Sequence, residues 1–104
     1  MDKHTWLAKL KPNMLEEYKR QHDEIWPEMV EVLKSAGIKN YTIWNSGDML
    51  FGYYECEFGY PYAQKVQDES EVVKRWNVVM SPIMEFVKDE NGDVLNFDCV
   101  FVLD

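Results

Sequence analysis

Hydrophobic residues in this chain change their spacing in a fixed order, from alternate positions to every third or fourth and back, twice over. Thr5 to Leu10 alternates, with Trp6, Ala8 and Leu10 on one face, the pattern of a strand half-buried against a core. Leu15, Tyr18, His22, Ile25, Trp26, Met29, Val32 and Leu33 then recur at spacings of three and four, the stripe of an amphipathic helix. Pro12 stands where such a helix can begin. Pro27 lies inside the stripe, and proline both lacks the N–H and crowds the preceding turn. A break is therefore expected near Asp23 to Trp26, followed by a second piece that runs to Ser35 and stops at Gly37.

Two further alternating runs follow, Tyr41 to Trp44 and Met49 to Cys56, joined through the polar cluster Asn45-Ser46-Gly47-Asp48 of a tight hairpin. A second helical region has two parts, one around Tyr62 to Val66 and one with Val72, Val73, Trp76, Val79 and Met80 on a single face. Ser70 or Asp68 is its expected cap. Ser81-Pro82 weakens the helix, and a further short turn is expected up to Phe86. After an Asn91-Gly92 turn, Val94 to Leu103 alternates again and reads as the last strand. The order β-α-β-β-α-β is that of a ferredoxin-like α+β domain, a four-stranded antiparallel sheet with helices on one face. In that fold the first strand separates the third from the fourth. The other face of the sheet is left to cover a partner, to line a pocket, or both.

With 104 residues the chain fits a single domain, 1–104. Its 14% aromatic content excludes disorder, because disordered segments lack the apolar surface that offsets chain entropy. A net charge of −8 argues against nucleic acid, whose phosphates call for clustered Lys and Arg, and against an anionic membrane surface. No run of about 18 apolar residues could span a bilayer, and no secretory signal is visible at the start, so a cytoplasmic location is expected. Cys56 and Cys99 have no metal or CxxC spacing and read as two buried free thiols of a reducing compartment. In the expected fold they lie two strand spacings apart, about 10 Å. A disulfide spans at most roughly 7 Å between Cα atoms.

Tyr18 and His22, four residues apart, share one helix face with Leu15, Ile25 and Trp26, all expected to point inward. A histidine there is either a satisfied core residue, bonded to Tyr18 or to a backbone carbonyl, or a proton-transfer group in a pocket. His4 and the carboxylates Glu16, Glu17, Glu28 and Glu31 give no convincing metal set. There is no GxSxG elbow and no glycine-rich phosphate loop. Trp76 and Tyr41 read as core or interface aromatics taken singly. With Tyr18 they could instead wall a sugar pocket, apolar faces against C–H surfaces and hydroxyls for hydroxyls.

Glu17-Tyr18-Lys19-Arg20-Gln21-His22, Ile25-Trp26-Pro27-Glu28, Leu33-Lys34-Ser35-Ala36-Gly37 and Asn40-Tyr41 resemble the first half of the L-rhamnose mutarotase family. Lys74-Arg75-Trp76 resembles a second motif of that family, and the strand bearing Phe101 resembles its end. The resemblance implies a dimeric α/β barrel built by pairing sheets, with a monosaccharide substrate and no cofactor or metal. It implies His22 as the catalytic proton donor and Tyr18, Tyr41 and Trp76 as sugar contacts. Asn77 stands where rhamnose-type members commonly carry a second Trp, which makes L-fucose or another 6-deoxy-hexose an alternative substrate. The same architecture hosts haem-degrading and quinone-forming monooxygenases, in which a pocket His can ligate iron, and could serve a non-catalytic sugar-binding dimer.

Overall fold

A computed structural model describes Met1–Leu103. The elements run β1 (Asp2–Leu10), α1 (Leu15–Asp23), α2 (Pro27–Ser35), β2 (Ile38–Ser46), β3 (Met49–Cys56), α3 (Tyr60–Asp68), α4 (Glu71–Met80) and β4 (Met84–Phe86). The sheet is antiparallel in the order β2-β3-β1-β4, so β1 separates β3 from β4 as the ferredoxin-like pattern requires.

The helical stripe breaks where Pro27 demands it. α1 ends at Asp23, Trp26 is extended, and Pro27 takes the first position of α2, where its missing N–H is no loss. Gly37 (φ +77°) then turns the chain into β2. The β2–β3 hairpin closes on a two-residue loop, Gly47-Asp48, with Gly47 at φ +58° as its first residue, and Asn45 Nδ2 braces it by donating to the carbonyls of Gly47 and Met49. Ser70 caps α4 by accepting from the Val73 N–H.

Alternation divides the sheet. Trp6, Ala8 and Leu10 of β1 and Leu50, Tyr54 and Cys56 of β3 are buried on the face the helices cover. There they meet Tyr18, Met29, Val73, Trp76 and Met80 in one core. The opposite face carries Trp44 and Phe51, directly paired across β2 and β3 and both exposed.

Two expectations are corrected. The fourth strand is Met84–Phe86, and Val94–Leu103 forms no strand beyond a single bridge from Val94 to Lys88. The short run wins because it follows α4 directly and pairs with the free edge of β1, placing Met84 opposite Leu10 and Phe86 opposite Ala8. The better-patterned tail turns back at Asp89, which accepts from the N–H groups of Asn91 and Asp93, and among the described residues it pairs only as far as Leu95, whose N–H donates to the Val87 carbonyl. Both cysteines are free, but only Cys56 is buried; Cys99 rides on the tail and is exposed. No helix among the described residues is long and apolar enough to cross a membrane.

Candidate active site

A cavity of about 560 Å³ opens between the helix-covered face of the sheet and the helices α1 and α4. It falls within the roughly 300–1,000 Å³ common for small-molecule sites. Tyr18, His22, Tyr41, Trp76 and Asn77 all line it, so the residues singled out from the sequence are brought together as a set. Tyr18 and Trp76 are buried in its wall, and Asn77 is an exposed residue one position on from Trp76 in α4.

Tyr18 and His22 stand one turn apart on α1, ring centroids 4.2 Å apart. The Nδ1 of His22 lies 2.9 Å from the Tyr18 carbonyl oxygen. A carbonyl can only accept, so Nδ1 is assigned the hydrogen, and in the neutral ring the lone pair resides on Nε2. Nε2 has no protein partner among the described residues and is not sealed from solvent. The imidazole is thus both the satisfied core histidine and the pocket histidine: one nitrogen anchors it, and the ring, with its other nitrogen unpartnered, lines the cavity. Burial lowers its pKa from the ordinary 6.5, while the Tyr18 carbonyl and the Asp23 carboxylate pull the other way. Its position in the last turn of α1 also favours the imidazolium when it forms.

The edge of the ring is fixed by Trp76, perpendicular at 5.3 Å, and Trp76 is held in turn by Trp26, perpendicular at 5.2 Å. Arg75 reaches over the Trp26 ring and pairs with Glu28, closing the outside of this stack. The Tyr18 hydroxyl has no protein partner among the described residues and is not sealed off. Burial raises both the Tyr18 and the Tyr41 phenols well above their ordinary value, so they are neutral donors at any physiological pH.

Tyr41 comes from β2, and its hydroxyl accepts a hydrogen bond of 2.9 Å from the indole Nε1–H of Trp6. Trp6 and Gln67 also line the cavity and were not anticipated as site residues. Trp6 had a signal: a bulky residue on one strand and a lone glycine, Gly52, inside an otherwise apolar strand mark a close approach. Gln67 had none, being one of several polar residues on α3. Lys19 and Asp23 are exposed residues on the cavity lining, and no group of three or more His, Cys, Asp or Glu among the described residues is placed to hold a metal ion.

The profile of the L-rhamnose mutarotase family matches residues 3–103. The chain belongs to that family. It is similar to the L-rhamnose mutarotase of Listeria monocytogenes, 37% identical over 99% of both chains. It is also similar to that of Bacillus subtilis, 40% identical over 86% of both. Among solved structures it resembles L-rhamnose mutarotase from Formosa agariphila, with a TM-score of 0.79, 23% identity and full coverage of both chains, a likeness of fold. Neither the monooxygenase nor the non-catalytic alternative is favoured by these relationships.

Proposed function

We propose that this protein is an isomerase that interconverts the α and β anomers of L-rhamnose, with His22 as the proton-transfer group. The observation that carries the reading is His22, with its Nε2 unpartnered, lining one cavity with Tyr18, Tyr41 and Trp76 in a member of the L-rhamnose mutarotase family. His22 Nε2 takes the proton of the anomeric hydroxyl. The bond from the anomeric carbon to the ring oxygen breaks as the aldehyde C=O forms, and the ring oxygen receives a proton. Both oxygens are attached to one carbon, so a single imidazole can serve both, taking the proton from one and returning it to the other. Rotation about the bond to the aldehyde carbon and reclosure by the reverse steps give the other anomer. Atoms and electrons balance within the sugar and one imidazole, so the chemistry calls for no cofactor.

Tyr18, Tyr41 and Asn77 are assigned to the sugar hydroxyls and Trp76 to its C–H surface, a division of labour that suits a neutral sugar. The cavity wall is apolar over much of its extent, with Leu50, Met29 and Met80 among its members, and its polar groups are phenols, an imidazole, amides and indoles together with the exposed Lys19 and Asp23. Positioned acid–base help of this kind is typically worth about 10²–10⁴-fold. A homodimer is proposed through the open face of the sheet, on the ground that Trp44 and Phe51 are exposed there and that the tail residues Phe97, Phe101 and Leu103 are exposed as well. Phe51 already meets Phe97 edge to face. A cytoplasmic location is in keeping with two free thiols, one of them exposed.

Saturation-transfer NMR on L-rhamnose, L-fucose and L-mannose tests the reading. Accelerated exchange of L-rhamnose is expected, with L-mannose slower because a hydroxymethyl group replaces the methyl group at C6. A protein that accelerates none of the three contradicts it.

A further inference from the structure

We propose that Trp6 is a positioning residue for this chemistry: its indole N–H, carried across Gly52, holds the Tyr41 hydroxyl so that the phenol proton is presented to the substrate. The inference rests on the mutarotase reading and assigns a role to three residues, Trp6, Gly52 and Asn40, that touch no reacting atom.

Trp6 on β1 pairs with Gly52 on β3, and Gly52 pairs on its other side with Ile43 on β2. Trp6 and the strand bearing Tyr41 are therefore two strand spacings apart, about 10 Å. Only a long flat side chain laid over the middle strand can bridge that gap. The indole does so, and a Cβ added at position 52 would overlap its Cε2, Nε1 and Cζ2 atoms. The backbone of Gly52 has no positive φ, so the glycine is needed for space and not for its conformation.

The other end of the bond is aimed by a β-bulge. The register of β2 against β3 shifts between Lys39 and Thr42, so that two residues, Asn40 and Tyr41, stand where one would. Asn40 absorbs the extra residue in the left-handed region at φ +52°, which Asn tolerates better than most side chains. Its Nδ2 donates to Glu55 at 2.7 Å, tying the bulge to β3. Without the bulge, alternation would send Tyr41 to the outer face with Thr42's present partner, Tyr53. With it, Tyr41 lies beside Tyr54 on the helix-covered face, ring centroids 4.9 Å apart, and lines the cavity.

At the hydroxyl the hydrogen-bond geometry decides the direction of the proton. An indole N–H can only donate, so it occupies an acceptor position on the Tyr41 oxygen and forces the phenol proton elsewhere. Among the described residues Tyr41 has no acceptor of its own. Its proton is left for a ligand oxygen in the cavity that His22 also lines.

A purely structural Trp6 would act independently of Tyr41, and a double-mutant cycle separates the two roles. Anomer exchange of L-rhamnose is measured in wild type, Trp6→Phe, Tyr41→Phe and the double variant. Trp6→Phe keeps an aromatic ring over Gly52 and removes the donor, and is expected to lower kcat/KM roughly five- to tenfold, the scale of one lost hydrogen bond. In the Tyr41→Phe background the same change is expected to stay within about twofold. An equal loss in both backgrounds, or none in either, overturns the proposal. Benzothienylalanine at position 6 has the shape of Trp without the N–H, and the same loss is expected from it even if Trp6→Phe folds poorly. The ¹H–¹⁵N resonance of the Trp6 indole separates this claim from the proposed reaction, since it needs no turnover. It is expected to shift in Tyr41→Phe, and an unmoved resonance contradicts the positioning role whatever the enzyme does. A wild type that exchanges no sugar, with the resonance shift intact, overturns the reaction and with it the role in catalysis.

Discussion

The side chain of His22 is anchored to the backbone of Tyr18, one helical turn earlier, through an Nδ1–H that donates to the Tyr18 carbonyl at 2.9 Å. This bond selects the tautomer. It leaves Nε2 as a base in the resting protein, and burial keeps it so by disfavouring the imidazolium. The family resemblance implies His22 as a proton donor; the role proposed for it on this geometry is that of a proton relay that begins empty.

The pH dependence follows. Because the folded-state pKa of His22 lies below 6.5, the basic form is present at neutral pH, and kcat/KM should fall only on an acid limb placed below 6.5. No basic limb from Tyr18 or Tyr41 is expected, since burial moves both far above their ordinary 10. Stability carries the same sign. Between the folded value and 6.5 the unfolded chain binds more protons at His22, so this contribution is present above 6.5 and is lost as pH falls through the folded value. A profile of enzyme-accelerated exchange against pH, corrected for spontaneous mutarotation, checks it.

Asn77 sets a second expectation. Asn77→Trp adds an aromatic face beside Trp76 at the cavity lining, and such a face is worth about 0.5–1.5 kcal/mol. The KM for L-rhamnose should fall by roughly two- to tenfold with little change in kcat, measured by exchange rate against sugar concentration. A change in kcat alone would place Asn77 outside the sugar contacts.

Gly52→Ala tests the packing from which Tyr41 is positioned. The added methyl overlaps the Trp6 indole, and overpacking of this kind costs about 1–3 kcal/mol. Urea denaturation should show that loss at unchanged m-value, and exchange activity should drop with it as Trp6 is displaced.

Ser70→Ala removes the cap of α4, the helix that carries Trp76, and should cost about 1 kcal/mol. For a domain of this size that corresponds to a fall in Tm of about 4–8 °C. Activity below the melting range should be nearly unchanged, because the Ser70 hydroxyl bonds only the backbone N–H of Val73 and does not itself line the cavity.

Much of the architecture was legible because local rules and global fold agree. Pro27 divides the first helical stripe, Ser70 starts α4, and Gly47 closes the hairpin, each through chemistry confined to a few residues. The fourth strand was misplaced because periodicity ranks Val94–Leu103 above the three residues Met84–Phe86, whereas pairing is decided by which segment reaches the free edge of β1. Tyr18, His22 and Trp76 could be grouped from helical spacing, which places a side chain without knowledge of its neighbours. Tyr41 could be offered as a pocket wall only as one of two readings, because its direction depends on a bulge at Asn40 that alternation does not announce. Trp6 read as core for the same reason: its partner lies 35 residues away, on a strand two spacings removed.

His22 is proposed to move the proton that opens the sugar ring. Saturation transfer between the anomeric resonances of L-rhamnose, with wild type and His22→Ala compared under identical conditions, tests it most directly. Fast exchange is expected with wild type, and a loss of roughly 10²–10⁴-fold in His22→Ala at an unchanged far-UV spectrum. A folded His22→Ala variant that exchanges the anomers as fast as wild type would contradict it.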